Sequence, residues 1–322
     1  MRTLSSTLEA AQQAATIDVI YKIVLTKGVS TYTYEEDRIL LSSHDEEVYS
    51  HRATFVLDNS DSEFDAKNLK GYKGIISYGA KTSSGDEYSA SVPLWVIDQQ
   101  FNSTPGKLTC ELELQGTPNL MARDEASESY TPDEDDTETV KALVNAIIGA
   151  SLSCFNHCKS FSVVWDSGYD ALADSYKPKD SFRIYPGGSR LAALRRVLDY
   201  TANVARFEAD DKVHILKPIT TGISYDYQYN LQSGHTMFSK AYRDSLVFPN
   251  RVVAQSREKD DPQYSGSAQV DDYSSLPDEV KKTKYLQTRL ESNSQADDIA
   301  EAMLSKAEMW SERGAAEVAI NV

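Results

Sequence analysis

An α+β protein that is mainly β, with two antiparallel β-barrel modules flanking a smaller α+β module, is the fold this sequence predicts. Three observations carry that expectation. Residues 17 to 116 form a series of short β-rich runs broken by turn residues, without helical periodicity between them. Two helical segments and a hairpin then follow in about a hundred residues. Strand-like runs return after residue 224 and are closed by a long amphipathic helix.

Residues 3 to 14, rich in alanine and leucine, read as a short N-terminal helix docked on a sheet or on a partner. The runs 17–25, 52–59, 73–80, 88–97 and 107–116 read as strands, punctuated at Asn59-Ser60-Asp61, Gly71, Gly85 and Pro105-Gly106. In the last run Leu108, Cys110, Leu112 and Leu114 alternate with polar residues, which predicts a sheet with one wet face. The first module is therefore placed at 1–116.

The texture changes after Gly116. Residues 124–139 carry eight acidic groups and no basic one and read as a solvated linker whose end opens a helix over 140–155. Pro186-Gly187-Gly188 precedes a second helix over 189–204. That helix runs into a hairpin turning at Ala209-Asp210-Asp211. The α+β module is placed at 117–218.

The second β module is placed at 219–322, with strands over 225–232, 251–258 and 264–272, and a charged loop over 259–288. A helix over 294–313 closes it, with Ser294 as N-cap, Asp297 and Asp298 in the first turn, and Gly314 at its end. Ile299, Met303, Ala307 and Trp310 fall on one stripe at helical spacing, followed by a strand over 317–322.

Composition excludes several functions. Lys plus Arg number 33 against 49 Asp plus Glu, and a net charge of −16 argues against gripping nucleic acid, because phosphate affinity comes mostly from cations. Nineteen tyrosines against nine phenylalanines favour half-exposed aromatic positions in sheets and interfaces. Cys110, Cys154 and Cys158 make no disulfide framework, which fits assembly in a reducing compartment. The N-terminal residues lack the apolar core of a signal peptide, and no stretch approaches 18 apolar residues, so no membrane-spanning segment is expected.

Each chemical constellation has a plainer reading. Cys154, His157 and Cys158 offer three soft ligands within five residues, yet two cysteines four apart at a helix end also arise from packing. Pro186-Gly187-Gly188-Ser189 lacks the lysine of a phosphate loop, and Gly106-Lys107 lacks the hydroxyl that should follow; both read as turn and N-cap chemistry. The histidines 44, 51, 157, 214 and 235 are scattered, and no serine occupies a G-x-S-x-G elbow. Asp133 to Asp136 lie in a polar run with nothing apolar to raise a pKa. No catalytic, cofactor or metal residue is assigned, and no cofactor is expected.

Lys179, Arg183, Arg190, Arg195 and Arg196 form a locally basic patch: residues 178–218 hold eight Lys plus Arg against five Asp plus Glu. The plain reading is the exposed face of an amphipathic helix. The sharper one is a subunit contact facing an acidic segment, such as 124–139, of a neighbouring copy.

Several blocks together resemble phage tail hub proteins. They are SFRIYPGGSRLAALRRVLDYTANVARFEADDKVHILKP (181–218), FPNRVVAQS (248–256), YSGSAQVDDYSS (264–275) and SNSQADDIAEAML (292–304). Earlier in the chain ATFVLDNSDSEFD, LKGYKGIISYG and VPLWVIDQQ are similar to the first barrel of that family. It includes contractile-phage baseplate hubs, their siphophage equivalents and the N-terminal part of type VI secretion spikes. The resemblance implies a virion structural protein made in the bacterial host cytoplasm and placed in the tail. It implies a homotrimer whose two barrels per chain form a pseudo-six-fold ring between the tail tube protein and a spike or tail-tip protein. DNA would pass through without specific binding. Members often continue into spike or wall-degrading domains, which are expected to lie outside this sequence. The alternatives are a carbohydrate- or receptor-binding tail protein using Tyr225, Tyr227 and Tyr229, and a tail-tip hydrolase using an Asp/Glu pair.

The sharper reading of the basic patch carries its own expectation: reversing Arg195 and Arg196 to Glu would block assembly and leave a folded monomer, whereas the plain reading leaves assembly unchanged. Light scattering together with far-UV circular dichroism checks it, and normal assembly of the variant removes the patch from any interface.

Overall fold

The computed structural model describes residues 4–12, 17–219 and 237–318. Helix α1 (Ser6–Gln12) is capped by the Ser5 hydroxyl, which accepts from the Leu8 amide at 3.0 Å. Leu8 is buried beside Ala80, so α1 docks on a sheet of its own chain.

Eight strands follow: β1 (Val19–Lys27), β2 (Ser30–Glu35), β3 (Ile39–Glu47), β4 (Ser50–Asp58), β5 (Lys73–Thr82), β6 (Gly85–Ala90), β7 (Leu94–Thr104) and β8 (Lys107–Gly116). They make one antiparallel sheet in the order β2-β1-β5-β7-β8-β4-β3, with β6 paired to β5. The expected alternation in β8 holds where it matters, since Cys110, Leu112 and Leu114 are fully buried. The run 88–97 is split between β6 and β7 around Pro93, which has no N–H to donate to a ladder.

β2 and β3 escape sequence reading because each buries a single hydrophobe, Tyr34 and Ile39. They are the two ends of the sheet, where one face packs lightly and one edge is unpaired. The chain joins them through residues 36–38, and both buried side chains enter the same core as Ile23, Phe55 and Leu112. The sheet therefore rolls around one core.

The middle segment holds α2 (Thr117–Arg123), α3 (Val140–Ile148), β9 (Ser162–Trp165), α4 (Leu172–Ser175), α5 (Arg190–Leu198), β10 (Val204–Phe207) and β11 (Lys212–Leu216). The Thr139 hydroxyl caps α3 and the Ser189 hydroxyl caps α5. Both helices are shorter than their apolar patterns suggest. α3 stops at Gly149, after which Ala150 takes a φ of 53°. β9 adds to the expected hairpin as a parallel partner of β11.

The last segment holds β12 (Met237–Asp244), β13 (Arg251–Gln255), β14 (Ser265–Gln269), β15 (Thr283–Gln287), α6 (Asn293–Ser311) and β16 (Glu312–Val318). The expected strand at 225–232 lies outside the described residues, as do residues 319–322 of the expected terminal strand. The charged stretch 259–288 is not all loop: β14 and β15 flank β13, the latter pair being parallel. α6 starts one turn position earlier than expected, with the Ser292 hydroxyl accepting from the Gln295 amide at 3.1 Å. Asp297 has a different task from the dipole role expected of it, accepting from the Ser267 amide of β14 at 3.0 Å. A Cβ on Gly266 would lie 2.3 Å from the Asp297 nitrogen, so only glycine lets α6 approach β14 this closely. Ile299 and Met303 are buried as the stripe predicts, but Trp310 is exposed, and the helix ends before Gly314, which lies in β16.

Two side-chain networks fasten these pieces. Arg190 opens α5 and is fully buried, contrary to its expected place on an exposed helix face. Its guanidinium donates to the carbonyls of Ile147 (2.7 Å), Ile148 and Lys159 (2.7 Å) and to the Asp124 carboxylate (3.0 Å). The first two are terminal carbonyls of α3, where a helix gathers negative charge, so one cation satisfies orphan acceptors and the dipole together. The Phe161 ring covers it at 5.3 Å.

Asp180 forms the second network. It pairs with Arg257 (2.7 Å), Lys259 (3.0 Å) and Arg289 (3.2 Å), while Glu134 and Asp260 complete the ring of charge. Hydrogen bonds from Arg257 above all hold the Asp180 carboxyl far below the usual carboxylate range. The run 124–139 is thus more than a solvated linker, since Asp124 and Glu134 enter the two networks. A single apolar core runs from Met121 to Leu304 beneath them.

Arg190→Met keeps volume but strands Asp124 and three carbonyls without their donor, and is expected to lower the unfolding free energy by about 3 kcal/mol. Urea titration checks this. Asp180 has a folded pKa below its unfolded one, so its stabilisation is present above about pH 4 and fades as pH falls towards the folded value. Asp180→Asn is expected to be less stable at neutral pH and to lose less on acidification. Thermal melts from roughly pH 2 to 7 would show parallel curves if the network were inert.

Candidate functional site

The junction between the rolled sheet and the middle segment is where ionisable and aromatic groups gather. The β10–β11 hairpin reaches into it: Phe207 meets the buried His51 edge-on at 5.9 Å, and Asp211 pairs with Lys73 at 2.7 Å. Burial pulls the His51 pKa down, so the ring is neutral there.

Among the described residues one group has metal-ligand character, Asp166, Glu208 and His214, whose donor atoms lie within 4.8 Å of one another. Its geometry is that of a closed ion cluster. His214 Nδ1 meets Asp166 at 2.8 Å and Nε2 meets Asp210 at 3.2 Å, so both ring nitrogens face carboxylates. Burial works to lower the His214 pKa, but the hydrogen bonds to Asp166 and Asp210 and the nearby Glu208 outweigh it and raise the value. Arg206 donates to Glu208 at 2.6 Å and lies 3.5 Å from Asp166. The Arg206 guanidinium places positive charge beside these carboxylates, and carboxylates engage both ring nitrogens of His214. Sequence reading placed His214 in the hairpin without its partners, because Asp166 approaches only through the parallel pairing of β9.

The other sequence candidates separate. Cys154 is buried and its thiol is pushed up to about 11 by burial, Cys158 is half-buried and likewise raised by burial, and His157 is exposed. Among the described residues these three side chains do not come together as a metal-ligand group. At Pro186-Gly187-Gly188-Ser189 the Gly187 amide donates to Ala126, the Gly188 amide donates to Tyr185, and the Ser189 hydroxyl caps α5, so no cradle remains for phosphate. Pro105-Gly106 makes the two-residue turn between β7 and β8, with Gly106 at φ 78°. His44 stacks on Tyr78 and bonds its hydroxyl at 2.8 Å. Asp133 and Asp135 are exposed, as the polar run predicts. His235, Tyr225, Tyr227 and Tyr229 lie outside the described residues.

Of the basic patch, Arg195 and Arg196 are exposed and stand over the rings of Tyr49 and Phe182 at 5.0 and 5.7 Å. On the other side of the hairpin lies a groove of about 770 Å³ lined by Lys73, Trp95, Leu120, Arg123, Lys159 and Phe161, with Asp124 and Asp211 at its edges. Sequence reading missed it because its residues are spread from 73 to 211 and carry no local pattern.

A mainly β chain with a rolled antiparallel sheet, a helical middle segment and a second small sheet defines a class of architecture, and solved structures share it. The chain is similar to a tail protein of Neisseria meningitidis MC58 at 11% identity and a TM-score of 0.56, covering 91% of this chain and 79% of that one. It is also similar to the 43 kDa tail protein of prophage MuSo2 from Shewanella oneidensis, at 11% identity and a TM-score of 0.50, covering 91% and 81%. No protein-family model matches the sequence, and no curated protein does. The chain shares the fold of these solved tail proteins.

Proposed function

We propose that this chain is a structural component of a phage-type tail, a hub whose copies close into a trimeric, pseudo-six-fold ring between the tail tube and a spike or tail tip. The observation that carries the reading is the extent of the likeness: it runs over nine-tenths of the chain, through the rolled sheet, middle segment and final sheet together. In this reading the modules 1–116, 117–218 and 219–322 act as building blocks, and the protein resides in the virion tail.

The chemistry agrees with a role without catalysis. The ionisable clusters described above are satisfied internally, and each has a fastening task. A net charge of −16 suits a conduit through which DNA slides without sticking, since like charge suppresses adsorption. The end strand β3 supports self-assembly. It is nine residues long, exposes Leu40 and Leu41, and among the described residues has a strand partner on one edge only.

Sedimentation velocity on the full chain is expected to show a species of three times the protomer mass, growing with concentration. A wild-type chain that remains a monomer at about 100 μM would refute self-assembly through its own surfaces, a concentration far above the dissociation constant of ordinary specific interfaces.

A further inference from the structure

Two exposed features of opposite character have no counterpart among the described residues. The first is the groove beside the β10–β11 hairpin. Of its charges, Lys73 is paired to Asp211, and Asp124 to the buried Arg190. Arg123 and Lys159 are exposed and have no ion-pair partner among the described residues. Between them lie the half-buried Trp95, Leu120 and Phe161. Two unneutralised cations around an apolar floor are unusual on a chain of net charge −16. The groove is also bordered by β9, an end strand of its sheet, so main-chain groups lie at its rim.

The second feature is the outward face of β3. Its register against β4 places Leu41, Ser43, Asp45 and Glu47 on one side, opposite Val56, Thr54, Arg52 and Ser50. The alternate residues His44 and Glu46 stand on the other side with the buried Ala53 and His51. The outward row is therefore apolar at one end and acidic at the other. Asp45 and Glu47 have no ion-pair partner among the described residues, Arg52 included, and Leu41 is 62% exposed. At about 3.3 Å per residue the row spans roughly 20 Å.

We infer that the outward face of β3 of one copy docks in the Arg123–Lys159 groove of the next, Leu41 resting on the Trp95–Phe161 floor and Asp45 and Glu47 meeting the two cations. This inference rests on the proposed ring, and it names the surfaces that make it. The two features are distinct patches, so the contact is head-to-tail, the type of interface that generates closed rings when its rotation closes. Charge sets which surfaces meet and in which register, while the apolar floor supplies the area removed from water. The acidic run 124–139 is a poorer occupant of a neighbour's basic surface. Asp124 and Glu134 are engaged within their own chain, and Tyr130 bridges to Ile184.

The test uses sedimentation velocity on the full-length chain, with circular dichroism melts to confirm folding. Arg123→Glu/Lys159→Glu and Asp45→Lys/Glu47→Lys are each expected to weaken self-association at least about tenfold, and the loss to grow at low salt. The quadruple variant, in which both surfaces are reversed, is expected to recover assembly. The neutral pairs Arg123→Gln/Lys159→Gln and Asp45→Asn/Glu47→Gln give a smaller loss and stand in should a reversal impair folding. Assembly of both double variants at wild-type strength overturns the inference while leaving the ring intact. Loss of assembly in Arg195→Glu/Arg196→Glu alone also overturns it and moves the contact to α5. A monomeric wild-type chain overturns both the inference and the ring.

Discussion

The middle of this molecule is organised around one buried cation. Arg190 is the first residue of α5, a position where the helix dipole disfavours positive charge, and it is tolerated because the C-terminal carbonyls of α3 and the Asp124 carboxylate surround it. Those partners belong to separate stretches of chain: the end of α2, the end of α3 and the lead into β9. A buried guanidinium needs its donors met, so it specifies where all three stretches lie. The Phe161 ring that covers it is also part of the groove floor, so the same residue shapes the surface inferred to receive a second copy.

Charge inside the fold is balanced and charge outside is not. Asp180 with its three cations and His214 with its carboxylates and Arg206 are nearly saturated, each tying together segments far apart in sequence. The excess of acid is therefore a property of the surface. Residue types that look catalytic in a list are here engaged with one another: Asp166 and Asp210 meet the two nitrogens of His214, and Arg206 holds Glu208.

The junction at the β10–β11 hairpin gives the protein its distinctive surface. Phe207 of the hairpin packs against His51, and Asp211 at its turn lines the groove with Lys73 and Trp95. β3, the strand inferred to fill such a groove in a neighbour, belongs to the same rolled sheet. On that inference a single chain carries both halves of a complementary pair at separate places, the arrangement of a head-to-tail contact rather than a self-matched one.

Local pattern was enough for much of this. The alternation of Cys110, Leu112 and Leu114 marked β8, Ser189 after two glycines marked the start of α5, and Pro105-Gly106 marked a turn, because each depends on neighbours within a few residues. β2 and β3 were not legible, since each buries a single hydrophobe and so shows no apolar alternation, although both pair in hairpins with the neighbouring β1 and β4. Ser294 lost the cap to Ser292, and Trp310 left the buried stripe, because packing on β14 set where α6 begins and where its cover ends. The sequence by itself determined the mainly β class, the acidic surface and the order of the modules, all of which follow from composition and short-range periodicity. Only the tertiary structure decided that Arg190 is buried, that His214 is locked between carboxylates, and that Trp95, Arg123 and Lys159 share one groove. Those facts arise where residues separated by tens of positions meet, and electrostatic and packing energies there depend on distances that no linear pattern encodes.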